Sequence, residues 1–173
     1  MFQLRAKGAK TLDLQYWLED ARQVLGDACL TINDLPSLAL GNCVDGVHLG
    51  PDDMLPQTAR LHIGYQKIIG LSGDDALRLA GPVAQQADYF GVGTFRQTAT
   101  KPNAGKPIGL KGLKKAVTLT KKPIFAIGGI VPADAGAIRS TGAFGMAIYS
   151  AIWSAPDPIQ VAKEFIHNWQ QAS

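Results

Sequence analysis

The chain has 173 residues, 46% of them apolar, and a formal charge of +3. That length fits one domain with a sizeable core, and so small and dispersed a charge argues against a nucleic-acid binder; the one lysine-rich stretch, residues 111–123, reads as the solvated face of an amphipathic helix. Cys29 and Cys43 lack metal-type spacing and stand in apolar surroundings, as buried thiols of a reducing compartment do, and neither a secretory leader nor a membrane-length apolar run is recognisable, so a cytoplasmic protein is expected.

Strand-like and helix-like patterns alternate along the chain. FQLR (2–5) precedes an amphipathic stretch over residues 11–25, CLTI (29–32) precedes the short apolar PSLALG, and VDGVHLG precedes DDMLPQTAR. KIIGLS (67–72) is followed by DDALRLAGPVAQQ, and YFGVG (89–93) leads through a long polar loop to a helix over 109–120. IFAIGG and FGMAIYS complete the series, each followed by helix. In IFAIGGIVPADAG (124–136) the apolar run breaks into Gly128-Gly129, Pro132 suits a first helical turn, and Asp134 faces the positive end of the helix dipole.

Such alternation implies a parallel sheet with helices outside. Seven units are recognisable where a closed barrel has eight, so the expected fold is a TIM (β/α)8-type barrel lacking its first βα unit, a single domain over residues 1–173. The open strand edges of such a barrel invite pairing, by a second copy in a homo-oligomer or by an upstream domain.

Ligands in these folds sit at the carboxyl ends of the strands, which gathers Asn33, Asp34, Asp52, Asp53, Ser72, Thr98, Thr100 and Lys101 on one rim. Asp34 and Asp53, from consecutive units, suit Mg²⁺ completed by water and substrate phosphates, or serve as helix N-caps. Gln3, Arg5 and Lys7 alternate along the first strand, so they share a face; turned inward, its charge calls for an anionic ligand, and at a frayed chain start it would meet water instead. The loop TFRQTATKPNAGKP is too polar and long for a mere connector, and Thr98, Thr100 and Lys101 could bind phosphoryl oxygens. The last two loops of a barrel often form a phosphate site, which places Gly128-Gly129 and Tyr149-Ser150 around a phosphate.

Together the stretches FQLRAKGAKT, INDLPSLAL, DGVHLGPDDM, IIGLS, DYFGVGTFRQTATK, IGLKGLKKAV, IFAIGGI and YSAIWSAPDP resemble the thiamine phosphate synthase family, which has the thiazole tautomerases as a sister branch. The resemblance implies a transferase that joins hydroxymethylpyrimidine pyrophosphate to a thiazole phosphate with loss of pyrophosphate, through a dissociative pathway. It also implies roles. Asp34 and Asp53 hold Mg²⁺ on the pyrophosphate; Arg5, Lys7, Asn33, Ser72 and Lys101 contact the pyrimidine substrate and its phosphates, with Lys101, Ser72 and Arg5 as the catalytic groups; Gln3 orients the pyrimidine ring. Thr98 and Thr100 serve the thiazole phosphate, gripped by Gly129 and the backbone of Tyr149 and Ser150.

The chain departs from the family pattern in Ala6, where an acidic residue is usual, in Thr94-Phe95-Arg96-Gln97, which replaces a proline-bearing pattern, and in the absence of the first strand and helix. Two alternatives accompany the synthase. A tautomerase would rely on a histidine where this chain reads Ser72-Gly73-Asp74, and His48, His62 and His167 read as structural. A non-catalytic binding or accessory domain for thiamine precursors is the other.

Overall fold

The structure is a computed structural model that describes residues 1–73, 75–98 and 105–172. Thr100 and Lys101, together with Asp74, lie outside the described residues. Two compact units emerge, one formed by Met1–Ser72 and Pro82–Asp88, the other by Gly73–Gly81 and Tyr89–Ser173.

The first unit carries four parallel strands in chain order: β1 (Phe2–Leu4), β2 (Leu30–Asn33), β3 (Gly46–Leu49) and β4 (Ile68–Ser72). Helix α1 (Thr11–Leu25) and α2 (Pro56–Ile63) alternate with them, and 3-10 turns cover Pro36–Leu40 and Pro82–Gln86. Period-2 alternation sorts the side chains. The register aligns Leu4, Ile32, Val47 and Ile69 on one face, continued by Leu49 and Leu71. Of these, all from Ile32 onward are fully buried, each contributing about 1.5–3 kcal/mol of apolar transfer. The opposite face carries Gln3, Thr31 and Gly46 at one level, then Asn33, His48 and Gly70. One side of each strand builds the core, and the other carries the polar residues, with Gly46, Gly70 and Ile68 among them.

A matching device seats the amino ends of β2 and β4. Arg22, near the end of α1, donates to the carbonyls of Gly26 (2.6 Å), Ala28 (2.9 Å) and Cys43 (2.9 Å) and to Asp45 Oδ2 (2.7 Å), while Asp45 Oδ2 also accepts the Leu30 N–H at 2.7 Å. Arg60, near the end of α2, donates to the carbonyls of Gly64 (3.0 Å), Lys67 (2.5 Å) and Gln86 (2.9 Å) and to Asp88 Oδ2 (2.8 Å), and Asp88 Oδ2 accepts the Ile69 N–H at 2.7 Å. Both times a guanidinium gathers the helix end, the following turn and a carboxylate that starts a strand.

Burial pushes the Asp45 carboxyl up, but the Leu30 N–H and the Arg22 guanidinium outweigh it, and the net pKa lies below the ordinary carboxylate value. A depressed folded pKa means stabilisation present above the unfolded value, about 3.9, and lost as pH falls through the folded one. Asp45→Asn is therefore expected to flatten the acid limb of the stability–pH curve below about pH 4, read by urea unfolding at stepped pH.

Both cysteines are half-buried rather than fully buried thiols. The sequence expectation fails because the polar Arg22–Asp45 cluster, not a closed apolar core, surrounds this end of the sheet; burial and Asp45 raise the Cys29 pKa.

The second unit carries β5 (Tyr89–Val92), β6 (Ile124–Ile127) and β7 (Gly145–Ala147), parallel and in chain order. Helices α3 (Ala76–Ala80), α4 (Gly109–Leu119), α5 (Ala135–Arg139), α6 (Ser150–Trp153) and α7 (Pro158–Gln171) accompany them, with a 3-10 turn over Pro132–Asp134. Leu79, Leu113, Ala116, Ala135, Ile138 and Phe165 are buried helical residues, and Phe90, Val92, Ile124 and Ala126 are buried on the strands. On the other face Phe125 is level with Gly91 and Gly145 and meets Tyr89 and Phe144 edge-on, at ring-centroid distances of 5.5 and 5.4 Å. A methyl group at Gly145 would stand 2.9 Å from the Phe125 ring, so glycine is what makes room for it. No helix among the described residues is long and apolar enough to cross a membrane.

Candidate active site

In the first unit the polar ends of β2, β3 and β4 converge. Asn33 is level with His48, and the Asp34 N–H, just past β2, donates to the His48 carbonyl at 2.9 Å. Asp34 turns its backbone into the left-handed region, φ 68°, a conformation that aspartate adopts more readily than most residues. Its carboxylate lies 3.6 Å from Lys7 Nζ and beside the Asp53 carboxyl. Asp53, in the loop after β3, also accepts the Gly50 N–H at 2.6 Å.

Neither aspartate caps a helix: the cap positions of the elements that follow are Leu35 and Leu55. The capping alternative falls away, because the two carboxylates lie beside each other, Asp53 on the Gly50 N–H and Asp34 against Lys7. Burial, the hydrogen bond to Asp34 and its negative charge hold the Asp53 carboxyl above the ordinary value, against the Gly50 N–H and Lys7, which pull it down. Two carboxylates in contact repel when both are ionised. That arrangement fits a hard divalent cation, which would relieve the repulsion. Among the described residues no third His, Cys, Asp or Glu joins them. Mg²⁺ tolerates so sparse a protein contribution because it keeps water and substrate oxygens as its other ligands.

The basic residues are placed differently from the expected strand alternation. Strand β1 stops at Leu4, so Arg5 and Lys7 lie beyond it, and alternation does not govern where Lys7 points. Gln3, Arg5 and Lys7 are all exposed. Lys7 nevertheless turns toward Asp34, and at 63% exposure that pair is weak enough to exchange for a phosphate. Ser72 ends β4, with its Oγ 3.3 Å from His48 Nε2.

His48 is the residue that sequence reasoning missed. It reads there as structural, following an apolar strand, whereas it stands inside β3 on the polar face, level with Asn33 and touching Ser72. Counting alternate positions back from Gly50 to Gly46 would have placed it on that face.

The second unit brings Gly129, Tyr149 and Ser150 to the carboxyl ends of two paired strands, since Ile127 is level with Ala147. Ser150 opens the short α6. Thr98 lies on the loop after β5. Gly128 and Gly129 have φ of 100° and 64°, as the turn demands. A methyl group on Gly129 would stand 2.5 Å from the Gln97 carbonyl oxygen, so the bare backbone already serves to seat residues 96–97. Pro132 and Asp134 form a 3-10 turn rather than the first turn of an α-helix, with Asp134 Oδ2 accepting the Val131 N–H at 3.0 Å.

Comparison with known proteins agrees with this layout. A family model described as "Thiamine monophosphate synthase" matches residues 1–152. The chain is 40% identical over 167 residues to the thiamine-phosphate synthase of Laribacter hongkongensis, covering 94% of this chain and 77% of that one. It is 39% identical over 171 residues to that of Vibrio campbellii, covering 96% and 82%. Among solved structures, thiamine phosphate pyrophosphorylase from Pyrococcus furiosus superposes with a TM-score of 0.84 at 33% identity, over 98% of this chain and 82% of that one. The seven strand–helix units are thus those of a TIM-barrel-type fold.

Proposed function

Because the chain belongs to the thiamine monophosphate synthase family and is a transferase, we propose that it couples hydroxymethylpyrimidine pyrophosphate to a thiazole phosphate. Thiamine phosphate and pyrophosphate are the products, Mg²⁺ is required, and residues 1–173 act as one domain. The observation that carries this reading is the Asp34–Asp53 carboxylate pair with Lys7 beside it.

In a dissociative substitution the protein must stabilise the leaving pyrophosphate and position the nucleophile. Asp34 and Asp53 would hold Mg²⁺, which when bound supplies charge neutralisation to the pyrophosphate oxygens. Arg5 and Lys7 add positive charge from the end of β1, and Lys101 is assigned the same task. Asn33, Ser72 and Gln3 hydrogen-bond the pyrimidine substrate. Arg5, Ser72 and Lys101 are the groups proposed to act on the reacting centre. Thr98 and Thr100, with Gly129 and the backbone of Tyr149 and Ser150, are assigned to the thiazole phosphate.

Chelation tests the metal. Pyrophosphate release is expected to stop when Mg²⁺ is removed and to return on its readdition, while the thermal melt of the apoprotein stays cooperative. Turnover that persists in excess chelator would overturn the assignment of Asp34 and Asp53.

His48 favours a second reading, a thiazole tautomerase, because it supplies an imidazole next to Ser72 that residues 72–74 themselves lack. That reaction needs neither Mg²⁺ nor a pyrimidine substrate, so proton exchange on the thiazole carboxylate phosphate alone separates it from the synthase.

A further inference from the structure

The loop after β5 is fastened to the end of β6 and the loop that follows it at three points. The Phe95 N–H donates to the Ile127 carbonyl at 2.8 Å and the Arg96 N–H to the Gly128 carbonyl at 2.9 Å, continuing the β5–β6 pairing past the ends of both strands. The Arg96 guanidinium then forms an ion pair with Asp134 Oδ1. Only 12% of the Asp134 side chain is exposed, and its other oxygen is occupied by the Val131 N–H. Asp134 therefore sits in a fixed place, and Arg96, 55% exposed, comes to it. Phe95 is buried. Between these points the carbonyls of Arg96 and Gln97 press on Gly129, occupying the space a methyl group would take at 2.8 and 2.5 Å.

We propose that Arg96 is a positioning residue: its ion pair with Asp134 holds the backbone of residues 95–97 against Gly128-Gly129 and fixes the turn that receives the thiazole phosphate. The proposal rests on the assignment of that phosphate to Gly129. A flexible segment loses entropy on binding unless it is held beforehand, so releasing this ion-pair latch weakens capture of the phosphate more than it changes the chemistry that follows. As a half-exposed pair it is also open to screening by salt.

The test uses the full chain with Arg96→Met, Asp134→Asn, their combination, and Arg96→Lys. In Arg96→Met, amide exchange at Phe95 and Arg96 is expected to accelerate, and KM for the thiazole phosphate to rise about tenfold. The rate at saturation and KM for the pyrimidine substrate should stay within about twofold. Asp134→Asn should reproduce this, the double variant should add nothing further, and Arg96→Lys should recover part of the loss because it keeps the charge. Unchanged exchange would overturn the latch, whether or not the protein makes thiamine phosphate. Accelerated exchange with an unchanged KM, with both KM values raised alike, or with additive effects in the double variant, would overturn its positioning role. If the wild type turns over no substrate, calorimetric binding of the thiazole phosphate replaces KM, and equal affinity in wild type and Arg96→Met would overturn the proposal just the same.

Discussion

Asp53→Asn is expected to lower the rate of thiamine phosphate formation by about 10²–10³-fold while leaving the melting temperature unchanged or slightly raised. The opposite signs come from the same contact. Asp53 lies against Asp34, and its carboxyl is held above the ordinary value by burial and by that neighbour. Neutralising it removes a repulsion from the folded state, and an amide oxygen can still accept the Gly50 N–H that the carboxylate accepts at 2.6 Å. The loop keeps its shape, and the proposed Mg²⁺ site loses half its protein charge. Steady-state rates beside a thermal melt separate the two effects. Full activity in the variant would sink the metal role of Asp53, and loss of activity with a collapsed melt would make Asp53 a structural residue instead.

Arg60→Leu should have the largest effect on folding. The Arg60 side chain is 5% exposed and satisfies three backbone carbonyls and Asp88 at once, with Tyr65 stacked 5.5 Å from its guanidinium carbon. Leucine would leave those carbonyls without their donor. Breaking a buried pair from one side costs about 3–5 kcal/mol, and because Asp88 is 49% exposed and can turn to water, the lower end applies. At about 2–4 °C per kcal/mol for a chain of this size, about 3 kcal/mol lowers the melting temperature by roughly 6–12 °C. Turnover per folded molecule should survive at low temperature, since Arg60 stands at the amino end of β4 and Ser72 at its carboxyl end. A melt unchanged within a degree or so would contradict the account of how this unit is held together.

Much of this architecture was legible in the residues. The period of the apolar positions locates α1 at Thr11–Leu25, and all seven strands fall where β-branched and aromatic runs stop at glycine or polar residues. Asp34 and Asp53 were recoverable because carboxylates just after strands must collect at one end of a parallel sheet. Their convergence follows from consecutive units; the left-handed turn at Asp34 does not, because the sequence carries no glycine there as a marker. The paired guanidinium devices also escaped notice. Arg22 with Gly26 and Arg60 with Gly64 share a spacing of four, but their carboxylate partners lie 23 and 28 residues downstream, and such distances carry no local signal. His48 reads as structural when taken to follow an apolar strand; the register with Asn33 shows that it lies within β3 and faces the polar side.

Whether this chain makes thiamine phosphate is tested by supplying hydroxymethylpyrimidine pyrophosphate and thiazole phosphate together and following both phosphorus-containing products by ³¹P NMR. Equal amounts of thiamine phosphate and pyrophosphate, formed only with Mg²⁺, are the predicted result. Substrates bound and recovered unchanged, or a thiazole rearranged without the pyrimidine, would contradict it.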